Sequence, residues 1–172
     1  MTMPDRAIIE AATALIKLCV QQNLKLATAE SCTGGLVAGA LTEVPGSSAV
    51  VDRGFVTYSN AAKQQMLGVS AETLRDHGAV SRETAEAMAR GALGEASADV
   101  VVAITGIAGP GGGGPGKPVG LVHFAAGARN GELTHVEMRY GDIGRAEVRH
   151  KSVLQALVML KEMAKNTSRM TS

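Results

Sequence analysis

Residues 99–105, Asp-Val-Val-Val-Ala-Ile-Thr, form an unbroken, mostly β-branched apolar run. They open directly onto a loop in which positions 109–116 hold six glycines. A half-buried strand would alternate polar with apolar positions. A continuous run of this kind instead suits a central strand covered on both faces. Covering both faces requires helices above and below the sheet. The glycines then end regular structure at the carboxyl end of that strand.

The rest of the chain supplies those layers. Apolar residues Ile8, Ile9, Ala12, Leu15, Ile16 and Cys19 recur at helical spacing between Asp5 and Gln22, with Asp5 placed to cap. A strand is expected over Leu24–Ala29, and a helix over Thr33–Glu43, stopped by Pro45-Gly46. A second strand, Gly54–Tyr58, ends at Ser59-Asn60, two residue types that cap helices, and AAKQQML follows as a helix. Further helices are expected over 71–77 and 81–95. After the glycine loop come strands Val119–Ala126 and Glu132–Tyr140, joined through Asn130-Gly131, a hairpin signal. In the second of these, Val136, Met138 and Tyr140 alternate with His135, Glu137 and Arg139, as on an edge strand with one wet face. A long helix from Arg145 to Lys165 closes the chain, and the polar tail 166–172 is expected to fray. The expected architecture is one domain over residues 1–172, a three-layer α/β/α sandwich with a mixed, mostly parallel sheet.

Composition excludes several functions. Hydrophobic residues make up 45% and charged residues 19%, enough apolar material for a packed core. Aromatics are 2% with no Trp, so that core is built from Ala, Val, Leu, Ile and Met. Seventeen basic against 16 acidic residues give a net charge of +1, and neither charge nor aromatic platforms favour nucleic acid. No apolar run reaches membrane-spanning length, and MTMPDRAIIE lacks the basic-then-apolar layout of a secretion signal. Cys19 and Cys32 are the two cysteines, too few for a disulfide framework, which points to a reducing cytoplasm. Four histidines without metal-site spacing argue against zinc.

Reactive groups concentrate in Glu30-Ser31-Cys32-Thr33-Gly34-Gly35, between the first strand and the helix after it. Backbone N–H groups at a helix start, here those of Thr33 to Gly35, lack partners and can bind an anion or a developing oxyanion of the substrate. Gly34 and Gly35 would let a substrate approach the backbone. Alternatively, Ser31 or Thr33 merely caps the helix. Cys32 is a rival nucleophile if the helix start lowers its pKa, or else a small buried apolar residue. Glu30 would orient a base or a substrate group, or cap the helix. Lys63 lies one turn into the helix after the second strand. If the two strands are neighbours, it comes to the edge where Ser31 sits, and partial burial would make it a general base; its usual fate would be a solvated surface. Tyr58 would donate a hydrogen bond there or be an ordinary strand aromatic.

The glycine loop fits neither GxxxxGK[ST] nor GxGxxG opening a helix. Its place after a central strand nevertheless favours ligand contact, with Gly106 and Gly109 as candidate substrate contacts. Arg145 and Arg149, one turn apart, would bind a phosphate or lie on the surface.

Five ordered segments, ESCTGG, VTYSNAAKQQMLGV, GAVSRETAEAMA, TGIAGPGGG with the following KPVG, and GDIGRAEVR, together resemble the CinA C-terminal domain family over residues 7–160. That resemblance implies the α/β/α fold and hydrolysis of the carboxamide of nicotinamide mononucleotide, with no metal or cofactor. It implies Ser31 as nucleophile and Lys63 as its base, with Tyr58, Thr105 and Arg145 in the site. The sequence departs from the family in its glycine loop, GGGGPGKP, and in Asp142-Ile143-Gly144-Arg145, where the family keeps Asp and Arg adjacent. Arg149 is then the alternative phosphate ligand. Two rival functions stand beside this one: a nucleotide-binding module without chemistry, and an amidohydrolase for another amide. The expected partner is a small-molecule nucleotide, with no nucleic acid and no membrane, and the edge strand is compatible with a homodimer.

Overall fold

The computed structural model of the chain describes residues 5–170. In chain order these form α1 (Arg6–Gln22), β1 (Leu26–Glu30), α2 (Leu36–Thr42), a short 3-10 turn (Ser47–Ala49), β2 (Val51–Val56), α3 (Asn60–Leu67), α4 (Ala71–His77), α5 (Arg82–Glu95), β3 (Val100–Gly106), β4 (Leu121–Ala128), β5 (Leu133–Arg139) and α6 (Arg145–Met170). The strands make one sheet in the order β2-β1-β3-β4-β5. β1 pairs in parallel with β2 and β3, whereas β3–β4 and β4–β5 are antiparallel. Four of the five strands therefore share a direction, although the pairings divide evenly between parallel and antiparallel.

Side chains alternate across each strand, so each central strand feeds two cores. On one face Leu26, Val100, Val102, Ile104, Val122 and Phe124 pack under α1, α2 and α6. On the other, Ala27, Ala29, Val101, Ala103 and Ala125 pack under α3, α4 and α5. The DVVVAIT run is buried on both faces, as its composition requires. The second core is built largely from alanine, which lets α5 sit close to the sheet. It also sits close to α3: a Cβ at Gly91 would overlap the Leu67 carbonyl oxygen at the end of that helix.

Several boundaries differ from expectation. β1 starts at Leu26, two residues late. β2 runs from Val51 to Val56, because its ladder with β1 begins at Leu26↔Val51, and Tyr58 has already left the strand. α2 begins at Leu36 rather than Thr33, since Gly34 and Gly35 take φ of +58° and +102° and keep the chain out of the helical region. α6 continues to Met170 instead of fraying after Lys165, and Thr167 is buried with its hydroxyl donating to the Met163 carbonyl at 2.8 Å. Residues 171 and 172 of the tail lie outside the described residues. β5 is an edge strand with a wet face, as expected. Among the described residues no helix is long and apolar enough to cross a membrane.

The chain leaves β1 to one side for β2 and returns across it to β3. The crevice at the carboxyl ends of β1 and β3 is thus a topological switch point, where ligands bind in open α/β sheets.

Candidate active site

At that crevice lies a cleft of about 250 Å³. Its lining includes Ser31 and Cys32 after β1, Tyr58, Asn60 and Lys63 around the start of α3, and Ala79 and Val80 between α4 and α5. Thr105 and Gly106 of β3, Ile107, Ala108, Gly109, Gly111 and Gly112 of the loop after it, and Arg145 complete its wall.

Alternation along β1 decides which side chains reach it. Ala27 and Ala29 face the α3/α5 layer, and Ser31, one step further, continues that side. Its N–H extends the ladder by donating to the Ile104 carbonyl at 2.9 Å. On α3, Ser59 caps the helix by accepting from the Ala62 N–H at 3.0 Å, which sets Lys63 facing the sheet. The Lys63 Nζ lies 3.1 Å from Ser31 Oγ and donates to the Thr57 carbonyl at 2.9 Å. Lys63 is 1% exposed, and no carboxylate lies within 4 Å of its Nζ among the described residues. Burial lowers its pKa from the ordinary 10.5, opposed weakly by the nearby Cys32. With one N–H held by Thr57, a neutral amine would aim its lone pair at the Ser31 hydroxyl.

Cys32 is 5% exposed, and burial pushes its thiol up to about 12. At neutral pH such a thiol has almost no thiolate, so Cys32 behaves as a packed small residue beside Ser31.

The other residues divide. Thr105 is in the cleft wall, with its hydroxyl donating to the Ala79 carbonyl at 2.7 Å. Arg145 spans the mouth, donating through Nη1 to the Gly109 carbonyl at 2.9 Å and through Nη2 to Tyr58 Oη at 2.8 Å. Tyr58 itself is 62% exposed. Arg149 is not in the cleft. It approaches the nucleophile turn from behind, donating through Nε to the Cys32 carbonyl at 3.1 Å.

Glu30, Thr33, Gly34 and Gly35 do not line the cleft either. Glu30 is fully buried on the α2 side of the sheet, where its oxygens accept from the Val37 and Ala38 N–H groups at 2.9 and 3.1 Å. Neither Ser31 nor Thr33 caps α2. Gly35 is the cap residue and offers no side chain, while Thr33 Oγ1 is buried without a partner among the described residues. The Gly34 N–H is occupied by the Ser31 carbonyl at 3.0 Å, so it is not a free oxyanion donor. The Cys32 N–H donates to no backbone carbonyl among the described residues.

Sequence reading missed Thr57, whose carbonyl holds the lysine, and the cleft residues Asn60 and Val80. Thr57 contributes only backbone, so no residue-type signal could have found it. Asn60 sits inside the YSNAAK segment and was legible as a neighbour of Lys63. No group of three or more His, Cys, Asp or Glu among the described residues could hold a metal ion.

A model of the CinA C-terminal domain matches residues 9–164 of the chain. A putative competence-damage inducible protein of Caldicellulosiruptor bescii is 45% identical over 159 residues, covering 92% of this chain and 38% of that protein. The chain thus spans well under half the length of that relative. The nicotinamide-nucleotide amidohydrolase PncC of Enterobacter agglomerans is 48% identical over 138 residues, covering 80% of this chain and 84% of the relative. The crystal structure of the competence/damage inducible protein CihA from Agrobacterium tumefaciens superposes with a TM-score of 0.91 at 61% identity, covering 93% of this chain and 97% of that one.

Proposed function

The chain belongs to the CinA C-terminal domain family, and from that premise we propose that it hydrolyses the carboxamide of nicotinamide mononucleotide, releasing nicotinic acid mononucleotide and ammonia. The observation that carries this reading is the buried Ser31–Lys63 pair at 3.1 Å in a cleft at the switch point of the sheet. The name of the Enterobacter agglomerans relative supports the substrate.

In this reading neutral Lys63 accepts the Ser31 proton as the hydroxyl oxygen attacks the carboxamide carbon. The Cys32 N–H, one residue after the nucleophile, faces the developing oxyanion. Collapse breaks the C–N bond, and Lys63 returns the proton to the leaving nitrogen, which departs as ammonia. Water then attacks the acyl ester, Lys63 takes its proton and passes it to the Ser31 oxygen, and the carboxylate leaves. Burial lowers the pKa of the amine toward the working range of a base without a second cation. Arg145, at the mouth, carries the positive charge that pairs with the substrate phosphate. To do so it exchanges its bond to Tyr58 Oη for phosphate oxygens.

The test is ammonia release from the mononucleotide, with free nicotinamide, the riboside and the dinucleotide as comparisons. Turnover of the mononucleotide that is lost in Ser31→Ala is the expected result. Binding without turnover by the unsubstituted protein would overturn the reading in favour of a nucleotide-binding module. Preferential turnover of another amide would overturn the substrate.

A further inference from the structure

Glu30 is one residue before Ser31, wholly buried, and outside the cleft. Helix α2 needs acceptors for its first N–H groups, and its own cap residue, Gly35, has no side chain to offer. Those acceptors come from Glu30 instead, seven and eight residues upstream: Oε1 takes the Val37 N–H at 2.9 Å and Oε2 the Ala38 N–H at 3.1 Å. The Thr28 hydroxyl adds a long contact to Oε2 at 3.4 Å. Meanwhile the Glu30 backbone is part of the sheet, its carbonyl accepting from the Thr57 N–H at 2.8 Å. Thr57 is also the residue whose carbonyl holds Lys63. Glu30 therefore ties together the strand that ends at Ser31, the helix that begins after the turn, and the segment that orients the base.

The turn between these anchors has two residues at positive φ, Gly34 and Gly35; it is closed by the Gly34 N–H on the Ser31 carbonyl and the Leu36 N–H on the Thr33 carbonyl, both at 3.0 Å, and Arg149 holds the Cys32 carbonyl. Such a turn has many ways to relax if its far end is released. We propose that Glu30 is a positioning residue for the Ser31 nucleophile: its carboxyl group, by binding the start of α2, fixes the turn so that the Ser31 hydroxyl faces Lys63. This rests on the reading of Ser31 and Lys63 as nucleophile and base. It assigns Glu30 no contact with substrate.

Glu30→Gln keeps the size of the side chain but sets an NH2 group against one of the two helix N–H donors. Misplacement of a reacting group by about 1 Å costs on the order of 100-fold in rate. The expected result is a folded variant whose kcat for mononucleotide deamidation falls by roughly that factor while KM stays within about threefold. The rate at which an alkyl fluorophosphonate labels Ser31 should fall in parallel. Circular dichroism and thermal unfolding establish the folded fraction, and rates are taken per folded molecule. A folded Glu30→Gln with unchanged kcat and unchanged labelling overturns the proposal, as does a raised KM with kcat unchanged. If Glu30→Gln does not fold, Glu30→Asp, shorter by one methylene, is measured in the same way. Equal labelling rates for Glu30→Asp and the unsubstituted protein overturn the proposal. The labelling arm separates the two readings. An unsubstituted protein that labels at Ser31 but leaves the mononucleotide intact overturns the substrate alone, and Glu30 is then judged on labelling. One that neither labels nor turns over overturns both.

Discussion

The Ser31 hydroxyl and the Lys63 amine stand 3.1 Å apart although they come from different elements 32 positions apart in the chain. Each is brought there by a separate constraint: Ser31 by the alternation of β1, Lys63 by the Ser59 cap that starts α3. Cys32, adjacent in sequence, has a thiol pushed up to about 12 by burial.

That contrast makes the two possible nucleophiles separable. Ser31→Ala should lower kcat by about three orders of magnitude or more, since the loss of a single oxyanion donor already costs about 100-fold. Cys32→Ala should keep kcat within about threefold. Ammonia release by both variants checks this, and a Cys32→Ala enzyme as dead as Ser31→Ala would reverse the assignment.

The pH dependence follows from the lowered pKa of Lys63. The active form is the neutral amine, so log(kcat/KM) should rise with unit slope on the acid side and level off below 10.5, the ordinary value for lysine. Stability carries the matching sign. Between the folded pKa and 10.5 the unfolded state binds more protons, so this residue's contribution improves as pH rises through that window. The cost of burying the ammonium is greatest below it. Lys63→Met removes that cost but leaves the Ser31 hydroxyl and the Thr57 carbonyl without the amine. At neutral pH its unfolding temperature should stay within about 4 °C of the parent while activity is lost. A pH–rate profile and a thermal melt of the same preparation check both halves.

Arg145 should discriminate by phosphate. Hydrogen bonds to charged groups are worth about 1.5–3 kcal/mol, or roughly 10- to 150-fold in binding. Arg145→Ala is therefore expected to raise KM for the mononucleotide by about that factor and to change the riboside little. Steady-state kinetics on the two substrates decide it, and equal losses on both would place the phosphate elsewhere.

Gly91 links packing to catalysis. Replacing a mid-helix glycine by alanine ordinarily stabilises by about 0.5–1 kcal/mol. Here the new methyl meets the Leu67 carbonyl, and overpacking of backbone costs about 1–3 kcal/mol. The second effect wins: Gly91→Ala should melt several degrees lower. Because Leu67 ends the helix that carries Lys63, activity per folded molecule should fall as well. Thermal unfolding and active-site titration test the two effects separately.

How much of this was legible depended on whether a property was local. DVVVAIT declared itself because burial on both faces leaves no room for polar positions. The hairpin at Asn130-Gly131 and the caps Asp5 and Ser59 were legible because each acts within a few residues. Lys63 could be placed near Ser31 once β1 and β2 were taken as neighbours, which they are. The start of α2 was misjudged because Thr33 is a good cap by type, whereas the positive φ of the two glycines postpones the helix to Leu36. The role of Glu30 was hidden for a related reason: the helix it serves begins six residues later, and nothing in ESCTGG says that Gly35 needs a substitute. Arg149 resembled Arg145 as a charge one turn away, but helix rotation turned it to the back of the turn.

The antiparallel hairpin offers a practical handle. No residue of β4 or β5 is among those lining the cleft. The register sets Val122 beside Gly106 at the cleft end of the sheet and Ala128 beside Val100 at the other, so the Asn130-Gly131 turn sits at the pole opposite the mouth. A biotinylation peptide or a fluorescent reporter spliced into that turn would tether the molecule to a surface with its opening toward solution, leaving substrate diffusion into the cleft unobstructed.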